Sequence, residues 1–486
     1  MKPLVVLHQD VATQYELENL YEVFVPKSKL TITSDGNDFA SKFNTVDFGL
    51  KVIFNGTQFE IELLNDQVLE KRTLFALNLT HKEIKTRLKR TVYDILARHM
   101  APLSKWGILV GIRPVKIVHE LLDAGQDEKT IRATLRDDYR VSEEKINLMV
   151  EVANKERPYL VPNQPDAISL YLCIPFCPTR CLYCSFPSND LARKGKLLQP
   201  YLDKLEREVI EAIHHIHQLG KYVDCIYVGG GTPTSITEAQ LASLLRTIAA
   251  HLPLDRIKEY TVEAGRPDTI TKEKLEIMKT YGVDRICVNP QTMNPKTLVE
   301  IGRSHDAESI VSVMQMAKTV GFKTINMDLI MGLPGETVVE SAETLSQIIA
   351  LEPENITIHT LAVKRASRLN EDLDHYELTH DQVVEAMLED AEGKLRGAGF
   401  TPYYMYRQKK MIGHLENVGY AKQGHESLYN MRIMEEKHSI VACGAGAVSK
   451  ICEPEINRFD RVANFKGLED YLDRFEEILE KKRLLK

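Results

Sequence analysis

From residue 168 to 361 one pattern repeats: a short apolar run of strand character, then a helix-length amphipathic stretch. The runs are 168–174, 223–228, 258–263, 284–289, 323–330 and 355–361, and helical periodicity follows each of the first five. Strands that alternate with helices are parallel, because the helix makes the return crossing, and such sheets place their sites at the carboxyl ends of the strands. Eight units close a barrel. Six are counted before the pattern changes near Asp374, so the expected fold is α/β, a partial (β/α)6 barrel, with a doubly wound open sheet as the alternative.

The flanks differ in texture. Residues 1–165 read as an N-terminal α+β accessory domain: alternating stretches at 50–54 and 58–63, parted by Asn55-Gly56, predict a hairpin in a small antiparallel sheet. Helices are expected over Lys82–Met100, Pro114–Ala124 and Ser142–Glu156, and Pro158, Pro162 and Pro165 form a linker. The core domain spans 166–375. A C-terminal domain, 376–486, should be a helical region covering the site, with a long helix capped near Thr379. At 486 residues, 43% hydrophobic and 27% charged, the chain has the composition of a multi-domain globular protein. Its net charge of −7 offers no global basic field for nucleic acid. No apolar run approaches the ~20 residues of a membrane span, and Pro3–His8 is too short and uncharged for a signal peptide, so a cytoplasmic location is expected.

Eight cysteines are too few for a disulfide scaffold, but Cys173, Cys177, Cys181 and Cys184 fall within twelve positions. Cys177-x3-Cys181-x2-Cys184 directly follows the first strand, a spacing that suits three thiolate ligands of an iron–sulfur cluster. A tetrahedral zinc site would need a fourth ligand, for which Cys173 is the candidate, but its strand would have to turn back. His214, His215 and His217 lack a confirming partner and read as surface. Other chemistry-bearing residues sit at strand ends: Gly229-Gly230-Gly231-Thr232-Pro233-Thr234 after the second, Glu263 at the third, Gln291 and Arg303 beyond the fourth. Asp328 lies inside the apolar fifth strand, where an unpartnered carboxylate is costly.

Together Tyr171-x3-Pro175-Phe176-Cys177-x3-Cys181-x-Tyr183-Cys184, the triple glycine, Glu263, Gln291, Arg303 and Asp328-Leu329-Ile330-x-Gly332-Leu333-Pro334 resemble the radical S-adenosylmethionine (SAM) superfamily. Within it they are similar to the oxygen-independent coproporphyrinogen III oxidase/dehydrogenase (HemN-like) family over roughly 166–365, and more weakly at Gly444–Ser449. Residues 1–165, the segment Trp106–Pro114 and the tract Lys364–Leu369 resemble the HemZ-type branch. The resemblance implies a radical-SAM barrel in which Cys177, Cys181 and Cys184 hold a [4Fe-4S] cluster and SAM chelates the fourth iron. It implies further that Tyr171, Gly230 and Glu263 contact that SAM, and that Tyr183, Gly231, Thr232, Gln291, Arg303, Asp328 and Ala362, with Val448, match contacts to a second. The implied reaction is oxidative decarboxylation of coproporphyrinogen III to protoporphyrinogen IX in haem biosynthesis, begun by a 5′-deoxyadenosyl radical, with an electron donor such as flavodoxin or ferredoxin.

Two departures bear on that reaction. Cys173 stands where the founding dehydrogenase has histidine, and Cys184 is followed by Ser185-Phe186 rather than by a residue and another cysteine. The second departure resembles the related haem chaperones, which supply the alternative of haem binding without dehydrogenase activity. An anionic tetrapyrrole needs cations, best supplied by the Arg fork. Arg365 and Arg368, with Lys364 before them and Arg407, Lys409 and Lys410 further on, are the expected carboxylate ligands.

Overall fold

The computed structural model describes residues 3–111, 113–186, 188–453 and 458–483. Ile112, in the tract Trp106–Pro114, lies outside the described residues. Contacts divide the chain into two units, Met1–Val150 and Glu151–Lys486.

The first unit holds a five-stranded mixed sheet of β1 (Leu4–His8), β2 (Leu30–Thr33), β3 (Phe48–Phe54), β4 (Gln58–Asn65) and β5 (Gln67–Phe75) in the order β2-β1-β3-β4-β5. The expected hairpin is β3–β4. Asn55 Oδ1 accepts from the amides of Thr57 and Gln58, and Gly56 takes the left-handed conformation the turn requires, φ 96°. The sheet is not purely antiparallel as expected: β1, all five residues buried, pairs parallel with both β2 and β3. The predicted helices are His81–Ala97, Val115–Asp123 and Glu143–Leu160. The last runs through Pro158, so this proline ends a helix instead of opening the linker.

In the second unit the six expected strands are β6 (Ala167–Ile174), β9 (Tyr222–Gly230), β10 (Glu259–Gly265), β11 (Arg285–Val288), β12 (Thr324–Met331) and β13 (Asn355–Thr360). Between β6 and β9, the two-residue β7 (Phe176–Cys177) and β8 (Asn189–Asp190) form a separate parallel ribbon. The six strands are consecutive parallel neighbours. Intervening helices start where the sequence supplies caps: Thr237 and Thr337 each complete a capping box, and Asp306 accepts from Ser309 N.

Among the described pairings nothing joins β13 back to β6. Residues 376–486 instead extend both edges of the same sheet. On β13 lie β15 (Asn417–Ala421) and β14 (Thr401–Tyr406), antiparallel; on β6 lies β16 (Ser439–Cys443), parallel, followed by β17 (Val448–Glu453) and β18 (Arg458–Ala463). This part carries the expected helices, Asp381–Gly397 and Phe475–Arg483 among them, and in addition five strands. Thr379 is not the cap of the long helix: that helix starts two residues later, and Thr379 Oγ1 donates to Leu333 O at 3.2 Å. No described helix is long and apolar enough to cross a membrane.

Candidate cofactor site

The cysteine loop leaves β6 at its carboxyl end, and its thiols are all free. Cys181 is buried, Cys177 and Cys184 half-buried. The triple-glycine turn after β9 is threaded against this loop. Gly231 N donates to Ile174 O at 2.9 Å, Thr232 N to Phe176 O at 2.8 Å, and Thr232 Oγ1 to Cys177 Sγ at 3.4 Å. A β-carbon on Gly231 would stand 2.9 Å from Cys177 Sγ and 2.6 Å from Phe176 O, so only glycine permits this approach. Gly230, at φ 116°, would clash in the same way with Cys173 Sγ. Cys173 therefore faces the glycine turn, and it shares a hydrogen bond with Tyr171 on its own strand.

Burial pushes the Cys177 thiol up to about 11, against the lowering effect of the Thr232 hydrogen bond, and raises Cys184 as well. Each also feels the charge of its neighbours in the loop, which places Cys177, Cys181 and Cys184 within electrostatic reach of one another. Three clustered, shielded thiols against a side-chain-free turn fit an iron–sulfur cluster, whose binding must displace their protons.

Side chains of β6 and β9–β13 on one face converge beside the loop. Tyr227 Oη donates to Glu263 Oε1 at 2.6 Å, and Glu263 also accepts from Gly230 N. Tyr171, Tyr227 and Tyr429 stack, with Tyr227 and Tyr429 centroids 4.3 Å apart. Asp328 accepts from Asn326 Nδ2 at 2.8 Å and faces His359 Nε2 at 3.7 Å, while His359 Nδ1 lies 3.3 Å from Tyr406 Oη. Burial works to raise the Asp328 carboxyl, but the His359 contact prevails and holds it below the usual range. Gln291, left-handed at φ 70°, bridges to β12 through its own amide on Asp328 O at 3.0 Å. Its buried Oε1 has no hydrogen-bond partner among the described residues, an acceptor left for a ligand.

Tyr183 and Arg303 also come together, Arg303 Nη2 donating to Tyr183 Oη at 2.9 Å. Other expected residues stand further out. Ala362, past β13, bridges to Met411, and Val448 opens β17 39% exposed, one residue beyond Ala447, which packs with Cys173 and Tyr171. Arg365 and Arg368 are exposed, on a segment tied to the cysteine loop by Arg180 donating to Ala366 O and by Leu369 N donating to Leu182 O at 2.9 Å. The Ala362–Met411 bridge brings the exposed Lys409 and Lys410 to the same loop pair. Arg407 does not join them. It is buried and spent on backbone, its Nη2 donating to His414 O at 2.6 Å.

Sequence reasoning missed several residues here. His359, Tyr227 and Tyr406 lie in phase on the inner face of their strands, a signal present in the period-two alternation. Arg266 gave no signal: its Nη1 donates to Thr179 Oγ1 at 2.6 Å, anchoring the cysteine loop from the end of β10. His214 and His217 are exposed, as expected of a surface group, while His215 is half-buried.

A family model for the radical SAM superfamily matches residues 171–348. The chain is 36% identical over 479 residues to the oxygen-independent coproporphyrinogen-III oxidase-like protein HemZ of Bacillus subtilis, covering 96% of this chain and 94% of that one. To the heme chaperone HemW of the same organism it is 31% identical over 284 residues, 57% of this chain and 70% of the chaperone. The solved structure of coproporphyrinogen III oxidase (HemN) from Escherichia coli, a radical SAM enzyme, matches with a TM-score of 0.52 and 24% identity over 67% of this chain and 73% of that one, a likeness of fold. Near-full-length similarity to the first of these relatives, together with the superfamily match over the cysteine loop and its strands, means that the chain belongs to the oxygen-independent coproporphyrinogen-III oxidase-like family of the radical SAM superfamily.

Proposed function

We propose that this protein carries out the oxygen-independent oxidative decarboxylation of two propionates of coproporphyrinogen III, giving protoporphyrinogen IX. The observation that carries the reading is the meeting, at one end of six parallel strands, of the cysteine loop, the Tyr227–Glu263 and Asp328–His359 pairs, and a rim of exposed cations. When bound, a [4Fe-4S] cluster and SAM supply one-electron cleavage of a sulfonium bond and a carbon radical that removes hydrogen.

The chain's own residues do the rest. Cys177, Cys181 and Cys184 ligate iron. Glu263, ionised, accepts from the SAM amine, and Tyr171 packs beside it. Tyr183, Gly231, Thr232, Gln291, Arg303, Asp328 and Ala362 form a place for a second SAM, with Asp328 fixed by His359 and Asn326. Arg365 and Arg368 pair with propionates, leaving those of the reacting side chains near the cysteine loop. Replacing both with Ala should raise KM for coproporphyrinogen III about tenfold or more, while SAM cleavage without substrate is unchanged. An unchanged KM would refute their role.

A second reading, haem binding and delivery, is favoured by Ser185-Phe186 after Cys184 and by the similarity to the chaperone. It predicts stoichiometric haem binding and no decarboxylated product.

A further inference from the structure

We propose that Arg266 is a positioning residue for the iron–sulfur cluster: its guanidinium braces the cysteine loop and, with Asp268, sets the local charge against which the cluster is reduced. The inference rests on the reading of Cys177, Cys181 and Cys184 as cluster ligands. Arg266 directly follows β10 and is 3% exposed. A buried guanidinium is costly unless its donors are met, and each of its five N–H groups has an acceptor here. Nε and Nη2 form a bidentate pair with Asp268, both at 2.9 Å. Nη1 donates to Thr179 Oγ1 at 2.6 Å and to Thr179 O at 3.3 Å, and Nη2 reaches Ser304 Oγ at 3.3 Å.

The backbone of Arg266 is pinned as well. Asp268 lies in the short turn Pro267–Thr269, and Thr269 donates to Arg266 O through its amide at 3.0 Å and its hydroxyl at 2.9 Å. Thr179 stands midway between Cys177 and Cys181, and its own hydroxyl donates onward to Gly302 O at 3.4 Å. One guanidinium thus ties the exposed tip of the cysteine loop to the end of β10 and to the segment that carries Arg303. Its charge also reaches the thiols: Cys177, raised by burial, is lowered by Arg266. A cluster held by thiolates is negative and takes one more negative charge on reduction, so a fixed cation in a shielded place favours the reduced form. The Asp268 carboxylate opposes that effect. Loss of either partner therefore moves the reduction potential in opposite senses, which a residue that only braced the loop would not do.

The test uses the full-length protein, reconstituted without air. The midpoint potential of the cluster is read by electron paramagnetic resonance during titration with dithionite, and release of iron to a chelator is followed alongside. Asp268→Asn leaves the guanidinium uncompensated and should shift the potential upward. Arg266→Gln leaves the carboxylate uncompensated and should shift it downward, while iron is released about tenfold faster or more. Arg266→Lys keeps the charge but not the fork, so its potential should stay near that of the parent while iron release still quickens. The Arg266→Gln, Asp268→Asn double variant should return to the parent potential. Should Arg266→Gln not fold, Asp268→Asn and Arg266→Lys carry the same test. Charge variants whose potentials match the parent, or move in one direction together, would overturn the electrostatic role. Iron release within about twofold of the parent in Arg266→Gln and Arg266→Lys would overturn the bracing role. A parent protein with no reducible cluster signal would instead overturn the cluster reading, and the role of Arg266 with it.

Discussion

Burial pushes the Glu263 carboxyl up to about 7, and the hydroxyl that Tyr227 donates only partly offsets it. An unfolded glutamate titrates near 4.5, so this group takes up a proton on folding between the two values. Its contribution to stability is present below about pH 4.5 and is lost as pH rises through about 7. Glu263→Gln should therefore be more stable than the parent above pH 7, by on the order of 3 kcal/mol, and equal to it at pH 4, as read from urea midpoints across pH. Ligand binding runs the other way, because the SAM ammonium needs the ionised form. Below about pH 7 SAM affinity should fall about tenfold per unit in the parent and not in the variant, measured by equilibrium dialysis. Replacing Cys177, Cys181 or Cys184 with Ala should abolish the brown chromophore; a variant that kept it intact would remove that residue from the ligand set. The cysteines, glycines, Glu263 and Asp328 were legible because their chemistry breaks an apolar pattern. His359 was not, because its meeting with Asp328 depends on the β12–β13 register, which pairs Asp328 with Thr357 and is set by the fold.

Among elements, the helix Leu428–Glu435 shows how the site's floor is held. Its first amides are capped from another element: Glu259, at the start of β10, accepts from Leu428 N at 2.6 Å and Tyr429 N at 3.2 Å, and from Ser427 Oγ at 3.1 Å. A carboxylate at a helix amino terminus also meets the positive end of its dipole. Glu259→Ala leaves those buried donors unsatisfied and should cost about 1–3 kcal/mol by urea unfolding, while loosening Tyr429 against Tyr227. This cap joins residues some 170 positions apart, |i−j| 169 for Leu428, so no local capping signal reveals it. Local signals served well where partners are close in sequence. The six core strands begin and end within two residues of their apolar runs, whereas the one cap expected, Thr379, lies a residue before the actual N-cap, His380.

At the scale of the molecule, the residues after 376 are bound into the core sheet by buried charge as well as by strand pairing. Arg432 is clamped by Asp224 of β9, Nη2 donating to Oδ2 at 2.9 Å, and Nη1 also donates to Ser169 of β6 at 3.2 Å. Asp224→Asn strands a buried guanidinium and should cost about 3–5 kcal/mol, seen as a lowered urea midpoint with m unchanged. The six-unit core was legible because βα alternation is a local pattern. The edges were not: β15 finds β13 across more than 50 residues, β16 joins β6 in an unexpected parallel pairing, and β1 reads too briefly to be placed. The central claim, a cysteine-loop enzyme acting on a tetracarboxylate porphyrinogen, is met most directly by one assay. Reconstituted protein is incubated without air with SAM, a reductant and coproporphyrinogen III, and the tetrapyrroles are separated by mass. Conversion to protoporphyrinogen IX, with loss of two carbon dioxide molecules and consumption of SAM, is the predicted result. SAM cleavage with the porphyrinogen unchanged, accompanied by stoichiometric haem binding, would contradict it.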